Sequence, residues 1–129
     1  MLNRQLIIDT IYPLLEEQGC SSMDPRGQYC QYRGVDNRKC AVGFLIPDEN
    51  YSEEMDRSNL TAANEKIREA ISTEYGEVDL EQGDAIFLND VQSYMHDSLP
   101  EGDRSKFLSE LELNTREICE RYGLNDPTG

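Results

Sequence analysis

Only one stretch of this 129-residue chain is densely apolar, residues 40–46, Cys-Ala-Val-Gly-Phe-Leu-Ile. A basic turn, Arg38-Lys39, precedes it and Pro47-Asp-Glu stops it. Elsewhere the apolar residues recur mainly three or four positions apart, the spacing of amphipathic helices. The chain is thus expected to be a short buried plug surrounded by helical stripes. So short a run fits a strand as well as a buried helical turn, because periodicity does not separate the two.

The first stripe, Ile7, Ile8, Ile11, Leu14 and Leu15, predicts a helix over 3–18 closed by Gly19. Pro13 removes an internal hydrogen bond there and predicts a kink or a break near Thr10. Further helices are expected over 59–74, with Leu60, Ala63, Ile67 and Ile71 inward, and over 84–98, with Phe87, Leu88, Val91, Tyr94 and Met95 inward. The last runs over 103–122 on Phe107, Leu108, Leu111, Thr115, Ile118 and Tyr122, and the Gly123-Leu124 ending has the form of a Schellman stop. Residues 28–33 alternate as a short strand would, and 38–42 can return after the 34–37 turn. The fold class expected is mainly α (α+β): about four helices with a small β-hairpin or extended loop in the N-terminal half.

The chain divides as a single acidic domain: a helix over 1–19, a cysteine-containing hairpin and plug over 20–46, an acidic helical segment over 47–82, a two-helix closing unit over 83–124, and a frayed tail over 125–129. The 26 acids outweigh 12 basic residues, but unevenly: residues 1–46 are neutral, 47–82 carry −8 and 83–129 carry −6. A field of that sign repels a phosphate backbone, so direct nucleic-acid binding is not expected. It suits solubility, or a basic partner protein. No run of 18 apolar residues occurs, and the N-terminus lacks a signal-peptide pattern. A cytoplasmic protein with reduced thiols is expected.

Cys20, Cys30 and Cys40 are each separated by nine residues, and Cys119 lies far away. Structural zinc sites use close cysteine pairs that present two thiolates from one turn, a spacing this chain lacks. A site built from Cys20, Cys30, Cys40 and His96 is the weaker alternative to cysteines that act as small core residues. Neither a metal nor a cofactor is expected. A cysteine nucleophile needs a positioned base, and His96 is the only histidine. Asp97 follows it directly, but adjacent residues of an α-helix point about 100° apart, so Asp97 is not expected to orient the ring. No phosphate-binding glycine loop or nucleophile-elbow motif is present.

The remaining constellation is a cationic, aromatic patch formed by Tyr29, Tyr32, Arg33, Arg38 and Lys39, taken together with the solvated acidic run Glu53, Glu54 and Asp56. Arginine and tyrosine are enriched at protein interfaces, so these eight residues are the candidate binding surface. The competing reading is that the cations pair with the protein's own acids.

The pattern Cys30-x-Tyr32-Arg33-Gly34, followed by Arg38-Lys39-Cys40-Ala41-Val42-Gly43-x-Leu45-Ile46-Pro47-Asp48-Glu49-x-Tyr51, resembles a group of small bacteriophage and prophage proteins. Gln92 and His96-Asp97 extend the similarity, which covers residues 20–122. The resemblance carries no activity and implies a phage–host setting. The function expected is binding, with modulation or inhibition of a host or defence protein, in one version through a face that mimics nucleic acid. The alternatives are a small ligand-binding protein or enzyme using Cys30, Cys40, Arg33 and His96, or a metal-stabilised module.

Overall fold

The computed structural model describes residues 1–128. Five α-helices are present: α1 (Arg4–Gln18), the single turn α2 (Glu54–Arg57), α3 (Glu65–Tyr75), α4 (Asp84–Gln92) and α5 (Arg104–Tyr122). Short 3-10 turns at Val35–Asn37, Val42–Leu45, Asp48–Asn50 and Leu80–Gln82 join them, and a π-helical turn, Ser93–Asp97, continues α4. The expected mainly α architecture holds.

α1 is central, packing on α3, on α5 and on the Val42–Leu45 turn. Its buried face is Ile7, Ile8, Ile11, Tyr12 and Leu15, so Tyr12 takes the place assigned to Leu14, which is partly exposed. The helix is not broken at Pro13. Pro13 and Asp9 both lie on the solvent side, so the carbonyl that proline leaves without a donor faces water. Arg4 ties α1 to its neighbours: its guanidinium pairs with Asp84 at 2.7 Å and lies over the rings of Phe87 and Tyr122.

Local capping chemistry sets the helix ends. Asn64 and Asp103 accept from the Lys66 and Lys106 amides at the starts of α3 and α5, which places the α3 start six residues later than its stripe suggested. At the end of α5, Gly123 is left-handed and the Leu124 N–H reaches the Cys119 carbonyl at 2.8 Å, the expected Schellman closure.

The hairpin over 28–33 and 38–42 does not form. The described residues contain no strand, only one antiparallel bridge between Met23 and Cys30. The chain instead folds 22–24 against 29–31, through Asp24 N–H to Tyr29 O (2.9 Å) and Gln31 N–H to Ser22 O (3.0 Å). The Asp24 carboxylate closes this turn by accepting from the Gln28 and Tyr29 amides. In place of a second strand, the Cys40 and Ala41 carbonyls accept from Phe44 N–H in a helical turn, Lys39 bonds through its backbone to the Gln18 side chain, and Val42 N–H donates to Gln92. Between Cys40 and Ile46 the plug is a buried helical turn, one of the two forms its sequence allowed. Gly43 is required there, since a Cβ would stand 2.6 Å from the Tyr32 carbonyl oxygen, which the backbone holds fixed.

Candidate functional site

The side chains with chemical potential converge where the 20–34 loop crosses the plug and the end of α4. His96 is fully buried on the π-helical turn. The wider turn is marked by Ser98 N–H bonding five residues back, to Ser93 O at 2.9 Å. In this geometry the adjacent Asp97 does orient the ring, contrary to the α-helical expectation: His96 Nδ1 and Asp97 Oδ1 are 2.8 Å apart. The other ring nitrogen, Nε2, accepts the Ser22 backbone N–H at 2.9 Å. An amide can only donate, so Nε2 holds the lone pair and Nδ1 holds the proton that Asp97 accepts. One tautomer is thereby fixed and both nitrogens are occupied.

Gln92, one turn before His96, completes the arrangement. Its Oε1 accepts from Val42 N–H at 2.9 Å and its Nε2 donates to Asp97 Oδ1 at 2.7 Å, linking plug and π turn. Burial pushes the Asp97 carboxyl up, but the bonds from His96 and Gln92, with the Cys30 thiol, outweigh it and hold Asp97 below the ordinary carboxylate range. Asp97 nonetheless keeps a 42 % exposed side chain, open to a cavity of about 340 Å³.

Cys30 sits in the same cluster, its sulfur within 4.8 Å of ligand atoms of His96 and Asp97. Burial first, and then the negative Asp97 beside it, push its thiol up to about 12. At pH 8 it holds roughly 10³-fold less thiolate than an ordinary cysteine, and thiolate is the nucleophile. Iodoacetamide at pH 8 is therefore expected to label Cys30 in the folded protein at under roughly 1 % of its rate in urea, read by peptide mass spectrometry. Labelling at the denatured rate would mean that the thiol is not held as described.

The three ligand-type side chains also do not fit a metal through His96. Coordination by Nδ1 would require the proton to move to Nε2, where it would face the Ser22 N–H, two donors at 2.9 Å. Of the four residues considered for a metal, only Cys30 and His96 meet here with Asp97. Cys40 lines the cavity but its sulfur accepts the Gly43 N–H, and the Cys20 thiol turns to the Gln18 carbonyl. Cys119 is buried among the core side chains.

The eight candidate interface residues do not form one surface. Arg33 is 16 % exposed and points inward, donating to the carbonyls of Tyr32, Gly43 and Ile46 and to Asp48. Tyr32 donates its hydroxyl to the Leu60 carbonyl. Asp56 accepts from the Tyr32 and Arg33 amides and from the Tyr51 hydroxyl. Lys39 lies between Asp48 and the Phe44 ring. Glu53 pairs with Arg57, and Glu54 with Lys66. Tyr29, 57 % exposed at the turn tip, and Arg38, loosely paired with Asp36 at 3.8 Å, stay available.

Sequence reasoning placed His96 and Cys30 but missed Ser22 and the orienting role of Asp97. Gln92 and His96 stand one helical turn apart, which was the available signal; a π turn leaves no mark on apolar periodicity. Compared with protein-family models, curated proteins and solved structures, the chain matches none.

Proposed function

We propose that this chain is a binding protein that docks by charge on a basic surface of a partner protein and modulates it, in the phage–host setting implied by its motif. The observation that carries this reading is on the outer face of α5. Glu110, Glu117 and Glu120 are exposed and have no ion-pair partner among the described residues. With Leu113, 60 % exposed, they stand at i, i+3, i+7 and i+10, one stripe of the helix. Glu117 and Glu120, three residues apart, repel by a few tenths of a kcal/mol, and the attraction of Arg121 for Glu117 is an offset within α5. A cationic partner surface with an apolar spot would complement the stripe.

The enzyme alternative has less support. Arg33 and both ring nitrogens of His96 are engaged in bonds within the fold, and the thiols of Cys30 and Cys40 are pushed up by burial. Mimicry of nucleic acid is the narrower form of the docking reading, and competition with DNA separates it from docking at a protein-only surface.

The test captures the partner from host lysate on the immobilised chain, purifies it, and measures Kd at 50 and 200 mM salt. Affinity is expected to fall at least about tenfold over that range, as charge-driven docking requires. The variant Glu110→Gln/Glu117→Gln/Glu120→Gln, with an unchanged circular dichroism spectrum, is expected to bind at least about tenfold more weakly, the effect of some 1.4 kcal/mol of lost attraction. Affinity that ignores both salt and this variant would refute the reading.

A further inference from the structure

Beside Asp97 lies the cavity of about 340 Å³, at the small end of ligand-binding pockets. Its walls combine Val42, Met55, Leu60 and Ala62 with two carboxylates, Asp56 and Asp97, and no lysine or arginine lines it. A cavity with aliphatic walls, neutral amides and hydroxyls, two carboxylates and no internal cation is complementary to a positive charge carried on an aliphatic stem.

The two carboxylates differ. Asp56 is satisfied by two amides and a hydroxyl. Asp97 receives both of its nitrogen donors, Gln92 Nε2 and His96 Nδ1, on Oδ1. No nitrogen or hydroxyl donor reaches its Oδ2 among the described residues, and the Cys30 thiol beside Asp97 is a weak donor, so that oxygen keeps the capacity to accept from outside. A guanidinium prefers two parallel acceptors of one carboxylate, whereas an ammonium is a compact point charge served by one. Lysine also buries its methylenes along apolar surface while keeping its head on a polar group.

We infer that this cavity is a lysine-side-chain receptor, in which a partner's ammonium docks on Asp97 Oδ2 and its stem lies along Val42, Met55, Leu60 and Ala62. The inference rests on the docking reading above only for the source of the lysine, a basic partner protein; the recognition chemistry is the cavity's own. Asn59 and Asn89 at the lining supply further amide oxygens for the remaining ammonium protons.

The probe is Nα-acetyl-lysine methylamide, titrated into the ¹⁵N-labelled full chain. The Gln92 and Asn89 side-chain amides are expected to shift with a Kd on the order of millimolar, reasonable for a single anchored side chain. The norleucine analogue, with the same stem and no charge, is expected to give no saturable shift there, and the arginine analogue to bind at least about fivefold more weakly. Asp97→Asn is expected to weaken the lysine probe at least about tenfold, the loss of one charge-assisted bond. Because Asp97 also holds His96, Asn89→Trp serves as the second variant: it fills the mouth from an exposed α4 position and should block the probe in a natively folded chain. The α5 triple glutamine variant should keep probe binding unchanged. No shift at Gln92 and Asn89 up to 10-fold above millimolar, equal binding of norleucine, or full binding by Asn89→Trp would each overturn the inference. If the probe fails while the partner still binds with steep salt dependence, only the lysine receptor falls; if the probe binds and the α5 variant leaves partner affinity intact, only the α5 docking reading falls.

Discussion

Replacing Arg33 by alanine is expected to remove about 4 kcal/mol of folding stability, seen as a fall in melting temperature of roughly 10–20 °C or as failure to accumulate folded protein. The guanidinium reaches Gly43 O at 2.9 Å, Ile46 O at 2.6 Å, Tyr32 O at 3.0 Å and Asp48 Oδ1 at 3.0 Å. It also lies 4.8 Å from the centroid of the Tyr51 ring. Ile46 is buried, so alanine would leave its carbonyl unpaired at about 1–3 kcal/mol, while the Gly43 carbonyl keeps the Ile46 N–H at 3.3 Å and loses its charged second donor. Lysine offers a charge without the planar fork and should recover less than half of the loss. Urea denaturation of wild type, Arg33→Lys and Arg33→Ala gives the comparison. A cost for alanine below about 1 kcal/mol would show that the plug does not depend on this side chain.

That role explains why part of the fold was legible and part was not. The ends of α5 and the left-handed Gly19 and Gly123 follow from signals within four or five residues, and local signals survive folding unchanged. The 28–33 alternation was a local signal too, but it was overruled by distant partners. Arg33 satisfies carbonyls 10 and 13 residues onward, Ser22 Oγ shares its proton between the carbonyls of Gln31 and Arg38, and Asp56 takes the amides of Tyr32 and Arg33. Backbone groups met by side chains need no neighbouring strand. The same pairings dissolve the candidate interface, since Tyr32, Arg33 and Asp56 looked available only because their partners lie far away in sequence. The residues that carry the motif resemblance from Cys30 to Tyr51, with Gln92, His96 and Asp97, largely coincide with this scaffold around the cavity. Within the motif, Arg33 holds the carbonyls of Gly43 and Ile46, and Gln92 and His96 hold the amides of Val42 and Ser22.

His96 is where that scaffold is most exposed to a single change. Its replacement by alanine is expected to cost about 3–5 kcal/mol, because it removes a fully buried ring and also strands the Ser22 N–H. Glutamine can still accept from Ser22 but cannot also donate to Asp97 from the same place, so His96→Gln should lose about half as much. The order alanine worse than glutamine is the diagnostic, measured by urea denaturation. Two spectroscopic outcomes follow from the same geometry. At pH 7 the ¹⁵N spectrum of the ring is expected to show the Nδ1–H tautomer, since Nε2 accepts from an amide that can only donate. Hydrogen exchange at the Ser22 amide should be slow in the wild type and accelerate in His96→Ala more than at Ile7 or Ile11, which lie in the α1 core. An Nε2–H tautomer, or equal exchange at Ser22 in both proteins, would contradict the fixed ring. It would also reopen Nδ1 as a metal ligand beside Cys30 and Asp97, because the proton that now excludes a cation would sit on the other nitrogen.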